Sequence, residues 1–107
     1  MATVLMQEMT WPAFADHMKR GTPVLVPVGA TEQHGYHMPL GVDAYLPTAV
    51  ATGIARAVGA IVAPTIAYGY KSQPKMGGGP AFPGTTSFDA STLIAAVRDV
   101  LRDLVRH

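Results

Sequence analysis

The sequence predicts an α/β fold with a parallel sheet, and three observations support this. Two short apolar runs, 23–28 and 60–64, alternate with helical patterns along the chain, and such runs are typical of strands covered on both faces. Strands that alternate with helices form parallel sheets. The 107 residues hold only these two runs, and two parallel strands make no stable sheet. We therefore expect residues 1–107 to form one incomplete domain, with a third strand beginning just past His107.

The first and last helices are marked by capping residues. Thr10 is expected to cap a first helix that ends at Gly21, because Thr accepts from free backbone amides and Gly closes helices. Asp89 is expected to cap a last helix that runs to about Arg106. The buried face of that helix is predicted to consist of Leu93, Val97, Val100, Leu101, Leu104 and Val105.

The middle helix is predicted from Asp43 or Ala44 to Val58, with Asp43 as its cap, Pro47 in its first turn and Gly59 after its end. Apolar residues recur every four positions along it, which is typical of a helix face that packs on a sheet. This predicted sheet-facing stripe comprises Leu46, Val50, Ile54 and Val58.

Composition narrows the class of protein. Hydrophobic residues make up 49% and charged residues 14% of the chain, against about 25% charged residues in ordinary soluble domains. The chain is therefore expected to be buried in an oligomer or in a larger protein. A net charge of +1 argues against nucleic acid as the main partner, and no apolar run approaches the ~18 residues of a membrane span. Without a signal peptide at its start, the chain is expected in the cytoplasm.

The loop 29–42 and the residue after it hold a cluster of candidate metal ligands, namely Glu32, His34 and Asp43. Glu32 and His34 fall on the same side of an extended segment, and the loop leaves the carboxyl end of the first strand, where α/β proteins bind ligands. Carboxylate and imidazole ligands suit Zn²⁺ or Mn²⁺, and the absence of cysteine excludes thiolate sites. Spacing alone leaves open the alternative of ordinary polar loop residues, with Asp43 only capping a helix.

A long irregular stretch is predicted over 65–88, and loops of this length are usually functional. Its run of three glycines, 77–79, is followed by no Lys-Ser or Lys-Thr and opens no helix, so it does not form a phosphate-binding loop. Tyr68 and Tyr70 could stack on a substrate or pack against the protein.

The motifs resemble those of the creatininase family. They are PVGATEQHG at 27–35, HMPLGVD at 37–43, YGY at 68–70 and FPGTTS at 82–87. The resemblance runs from about Met9 to the end of the chain. Met76 and Pro80-Ala81 stand where the family's namesake has more polar residues, which leaves the identity of the substrate open.

The resemblance implies a three-layer α/β/α sandwich with a mostly parallel sheet, of which this chain is the N-terminal half. It implies two divalent metal ions, Zn²⁺ or Mn²⁺, with Glu32 on one metal, His34 on the other and Asp43 bridging both. A hydroxide bridging the metals would cleave a non-peptide C–N bond of a small amide, creatinine to creatine above all. Tyr70, Met76 and Gly77 are the substrate contacts implied within this chain. Family members form hexamers, and their remaining ligands and catalytic histidine follow a third strand.

Three alternatives remain at this stage. The chain could be a truncated or split enzyme, inactive without a complementary C-terminal segment. It could act on another cyclic amide or on a formamide. It could also be a binding module that uses the Tyr-rich and Gly-rich stretch for an unrelated ligand, in which case chelation would not abolish binding.

Overall fold

The computed structural model describes residues 2–71 and 81–107 and shows an α/β architecture. In these residues three helices and two strands alternate in the predicted order, after a 3-10 turn that the sequence did not indicate. Within the described residues, no helix is both long and apolar enough to cross a membrane. The elements are the 3-10 turn Met6–Glu8, α1 Trp11–Lys19, β1 Val24–Leu25, α2 Val42–Val58, β2 Ile61–Val62 and α3 Ala90–Arg106.

The two strands are parallel, as predicted, with Val24 opposite Ile61. On its other edge β2 accepts the N-terminal segment, because the amide of Val62 donates to the carbonyl of Val4 at 2.8 Å. The strand β2 therefore lies between β1 and the N-terminal segment. The outer edge of β1 is open, because the amide of Val26, next to β1, has no backbone partner among the described residues. An unpaired strand edge is a place where another strand can add.

The regular part of β1 is shorter than the predicted run 23–28. Pro27 has no N–H, so the ladder cannot continue through it. Pairing resumes beyond it, because Ile66 donates to the Pro27 carbonyl at 2.9 Å and Gly29 donates to the Ile66 carbonyl at 2.8 Å. The chain after β1 thus stays extended up to the candidate metal ligands.

The start of α2 corrects the predicted cap. Gly41, not Asp43, occupies the N-cap position, and no side chain caps the helix. Asp43 lies in the first turn instead, and Pro47 lies inside the helix, beyond the first turn. The carboxylate of Asp43 therefore makes no capping hydrogen bond with the helix.

The predicted sheet-facing stripe of α2 is wrong. Ala51 and Ala55 are the buried residues of the helix and pack with Val62 in the core. Small side chains bring the helix axis close to the strand, and the larger apolar residues sit about 100° around the helix from this face. The stripe is exposed along its whole length, at Leu46, Val50, Ile54 and Val58.

The apolar face predicted for α3 is not buried either. The helix runs to Arg106 as predicted, but none of its residues is fully buried. Leu93, Val97 and Leu104 are half-buried, whereas Val105 is 85% exposed. The fully buried core is small and consists of Ala51, Ala55, Ala60, Ile61, Val62 and Ala63.

Asp89 occupies the N-cap position of α3 as predicted, but its side chain does not cap the helix. It pairs with Lys71, with Nζ 2.7 Å from Oδ1. The hydrogen bond to Lys71 and the positive charge of Lys71 lower the pKa of Asp89. The same hydrogen bond and the negative charge of Asp89 raise the pKa of Lys71. The backbone beside the pair is also joined, because Phe88 donates to the Gly69 carbonyl at 2.8 Å.

We expect Lys71→Gln to bring the pKa of the Asp89 carboxyl back up toward its ordinary value, and a carboxyl carbon NMR titration measures this. Because the folded-state pKa of Asp89 is lowered, its contribution to stability is present above the unfolded value of about 3.9 and is lost as the pH falls through the folded value. Lys19→Gln is the matched control and should leave Asp89 unchanged. An unaltered titration in Lys71→Gln would mean that the ion pair does not form in solution.

Candidate metal centre

The three candidate ligands from the sequence come together at the carboxyl end of β1. Glu32, His34 and Asp43 each offer one ligand atom, and these atoms lie within 4.8 Å of one another. Glu32 and His34 come from the loop after β1, and Asp43 comes from the first turn of α2. All three side chains are half-buried, so the group forms a shallow site open to solvent.

A backbone contact orients the imidazole of His34. Its Nδ1 lies 3.1 Å from the carbonyl oxygen of Glu32, which accepts only if Nδ1 carries the proton. The Nε2 atom then holds the lone pair, and it faces Asp43 Oδ1 at 3.4 Å. A histidine whose second nitrogen is bound to a carbonyl in this way has the orientation common among metal-ligating histidines.

The environment raises the pKa of His34. The largest cause is the hydrogen bond to the Glu32 carbonyl, and the negative charges of Asp43 and Glu32 add to it, while burial acts in the opposite direction. Two carboxylates around one imidazole attract a cation, either a proton or a metal. Because a metal requires the unprotonated nitrogen, protons compete with it as the pH falls.

The distance between the His34 and Asp43 ligand atoms is compatible with a shared metal. The 3.4 Å between His34 Nε2 and Asp43 Oδ1 exceeds the roughly 2.7–2.9 Å of a charge-assisted hydrogen bond. Two ligands of one tetrahedral Zn²⁺, with bonds of about 2.0–2.2 Å, stand roughly 3.3–3.5 Å apart. One imidazole and two carboxylates are a donor set suited to Zn²⁺ or Mn²⁺, so the residues present fit the metal that the sequence indicates.

Threonines that the sequence analysis did not single out hold the ligand loop. The Thr31 hydroxyl donates to the Ala67 carbonyl at 2.8 Å, and the Gln33 amide donates to the Thr85 hydroxyl at 3.1 Å. The amide of Thr86 donates to the Thr31 carbonyl at 3.0 Å. Both described ends of the predicted irregular stretch therefore bind the ligand loop. The sequence motifs contain these threonines, but a sequence does not show which backbone group a hydroxyl binds.

The three predicted substrate contacts have different outcomes. Tyr70 is exposed and pairs through its backbone with Phe88, so its ring is accessible. Tyr68 packs edge-on against the Phe88 ring, at a centroid distance of 5.8 Å, which favours the packing alternative for that tyrosine. Met76 and Gly77 lie outside the described residues.

Comparison with known proteins identifies the family. The family model described as creatininase, creatinine amidohydrolase, matches residues 7–107. The chain belongs to the creatininase family. It is 51% identical over 106 residues to the creatinine amidohydrolase of Pseudomonas putida, which covers 98% of this chain. It is also 42% identical over 76 residues, 65% of this chain and 29% of the relative, to a mycofactocin precursor peptide peptidase of Mycolicibacterium smegmatis.

Solved creatininase structures share the fold of this chain over the residues that superpose. A crystal structure of creatinine amidohydrolase superposes with a TM-score of 0.95 at 48% identity, over 100% of this chain and 42% of that chain. The predicted α/β class is therefore confirmed. Other similar structures are a mutant creatininase of Zn-Zn type and one described as creatininase Mn, so divalent metals accompany these creatininases.

The chain spans only part of the curated relatives that it matches. It covers 41% of the length of the Pseudomonas putida enzyme and 29% of the length of the Mycolicibacterium smegmatis peptidase. Family membership and fold class thus hold for the residues compared, and the activity of a whole creatininase does not follow from them directly.

Proposed function

We propose that this chain supplies part of a two-metal centre in an amidohydrolase that cleaves a non-peptide C–N bond, with creatinine as the first substrate to test. The observation that carries the proposal is the approach of three ligand atoms within 4.8 Å in a creatininase-family chain. The location supports it as well, because parallel sheets bind ligands at the carboxyl ends of their strands.

Each of the three residues has a role in this proposal. Glu32 would ligate one metal and His34 the other through Nε2, and the carboxylate of Asp43 would be shared by both. When bound, divalent metals supply a nucleophile at neutral pH and polarise an amide oxygen. The Glu32 carbonyl holds the imidazole in the tautomer that leaves Nε2 unprotonated, since it accepts the proton of Nδ1.

Creatinine is favoured over other substrates by the similarity along almost the whole chain to the Pseudomonas putida enzyme. The relatives also include the mycofactocin precursor peptide peptidase and a 3-dehydro-scyllo-inosose hydrolase of Thermotoga maritima, 37% identical over 82 residues, 77% of this chain and 25% of the relative. Because the family fold hosts several chemistries, a substrate panel should include another cyclic amide, a formamide and a peptide amide.

We further propose that residues 1–107 are one incomplete domain whose site needs a complementary segment. Three protein ligands are too few for two metals, because even one zinc takes four positions. The open edge at Val26 and the exposed apolar stripe of α2 offer surfaces on which such a segment would pack. A hexameric assembly and a cytoplasmic location remain predictions.

Metal content tests the proposal first. On a sample of checked intact mass, elemental mass spectrometry should find divalent metal bound to the chain after equilibration with Zn²⁺ or Mn²⁺. Removal by a chelator should abolish any creatinine hydrolysis, and added metal should restore it. Near two metals per chain would mean that a second segment or a neighbouring subunit completes the site.

Two results would count against this function. The first is creatinine hydrolysis that continues at an unchanged rate after the metal has been stripped. The second is metal binding that stays the same when both His34→Ala and Glu32→Ala are introduced together. The double variant His17→Ala with Glu8→Ala removes the same residue types elsewhere and serves as the matched control.

A further inference from the structure

Three backbone segments pack on one another, and one of them carries the candidate metal ligand Asp43. A Cβ atom added to Gly29 would fall well inside the contact distance of the Asp43 carbonyl oxygen. A Cβ atom added to Gly69 would lie 2.5 Å from the Gly29 carbonyl oxygen. The main chain at Gly69 therefore packs on Gly29, and the main chain at Gly29 packs on Asp43, with no room for a side chain between them.

The Asp43 carbonyl is available for this contact because of Pro47. In an α-helix a carbonyl accepts from the amide four residues later, and for Asp43 that residue is Pro47, which has no N–H. The Cα–H of Gly29 points at the carbonyl in its place, and such contacts act as weak hydrogen bonds. The contact thus depends on both residues. Gly29 has no side chain that would clash with the carbonyl, and Pro47 has no N–H that would compete for it.

We propose that Gly29 and Gly69 are positioning residues that set the distance between Asp43 and the pair Glu32 and His34. Asp43 belongs to α2, whereas Glu32 and His34 belong to the loop that begins at Gly29, so the contact at Gly29 fixes one element against the other. A methyl group there would force them apart by more than about 1 Å, beyond the roughly 0.5 Å tolerance of a metal or catalytic site. The inference rests on the proposed metal site.

The test compares Gly29→Ala and Gly69→Ala with the control Gly53→Ala, which lies in the same helix as Asp43 and has nothing within 4 Å of its added Cβ. Mn²⁺ affinity is measured by electron paramagnetic resonance, and folding by circular dichroism. We expect Gly29→Ala to lose at least about 10-fold in affinity, as for other changes that move a metal ligand. Gly69→Ala should lose less, and Gly53→Ala nothing, with the helical signal kept in all three.

A second readout does not depend on metal. The nuclear Overhauser contact between the His34 ring and the Asp43 Cβ protons should be present in the wild type and in Gly53→Ala, and weakened in the other two variants. If the wild type binds no Mn²⁺, the metal proposal fails for this chain, and this contact alone decides the positioning claim. If Gly29→Ala does not fold, Gly69→Ala decides it. Unchanged affinity and an unchanged contact in a folded Gly29→Ala or Gly69→Ala protein would overturn the inference.

Discussion

Asp43→Ala is expected to remove metal binding from this chain almost completely. The carboxylate of Asp43 faces His34 Nε2 at 3.4 Å and is proposed to bridge both metals, so its loss affects both at once. Losing a partner of a ligand already costs about 10–100-fold in metal affinity, and losing a bridging ligand should cost more than about 100-fold. Titration calorimetry with Zn²⁺ or Mn²⁺ measures the affinity. When the chain is combined with its complementary segment, Asp43→Ala should also lower the rate of creatinine turnover.

The controls for Asp43 separate metal binding from folding. Because no side chain caps α2, removing this carboxylate should leave the helical circular dichroism signal nearly unchanged. Asp43→Asn keeps the shape and should still lose most of the affinity, since a neutral amide is a poor bridging ligand. Asp99→Ala, an exposed acid of α3, should bind metal as the wild type does. Full affinity or full turnover in Asp43→Ala would remove this residue from the site.

Complementation is expected to have a comparably large effect. We expect the 107-residue chain to hydrolyse creatinine slowly or not at all by itself. Co-expression with the part of the Pseudomonas putida enzyme outside the stretch that this chain matches should raise the rate by more than about 100-fold, because the metals then obtain their full ligand sets. The rate of creatine formation by the co-purified pair is the measurement.

Hydrogen exchange in the same complex reports where the added segment packs. The amide of Val26, without a backbone partner among the described residues, should become protected if a strand adds to the open edge of β1. A pair that carries His34→Ala is the inactive control and should still assemble. If the chain alone turns over creatinine as fast as the pair does, residues 1–107 need no complementary segment for activity.

The local structure followed the sequence closely. The helix starts at Thr10 and Asp89 and the stops at Gly21 and Gly59 lie where local rules put them, and both strands lie within the predicted apolar runs. The predicted capping was wrong, because neither the Thr10 nor the Asp89 side chain makes a capping hydrogen bond. Gly21 and Gly59 have positive φ angles of 70° and 76°, which only glycine adopts at little cost. Local rules place these helix ends correctly because chain reversal depends on residues within one turn of each other.

Predictions that depended on packing were less successful. The four-residue period of α2 identified an apolar stripe correctly, but the sheet took the neighbouring alanines instead. Periodicity shows which residues share a face, and it does not show which of two adjacent apolar faces meets the strand. The same limit applies to α3, whose apolar face has too little protein over it among the described residues to become buried.

For the candidate metal centre too, the sequence determined one part and the tertiary structure the other. The sequence by itself determined the ligand types, their loop and, through the creatininase resemblance, the three residues to examine. Only the tertiary structure brought Asp43 to His34, because that approach depends on the contact of two backbones at Gly29 and on a helix carbonyl that Pro47 leaves free. Such contacts join residues far apart in sequence through atoms common to every residue, and so no side-chain pattern records them.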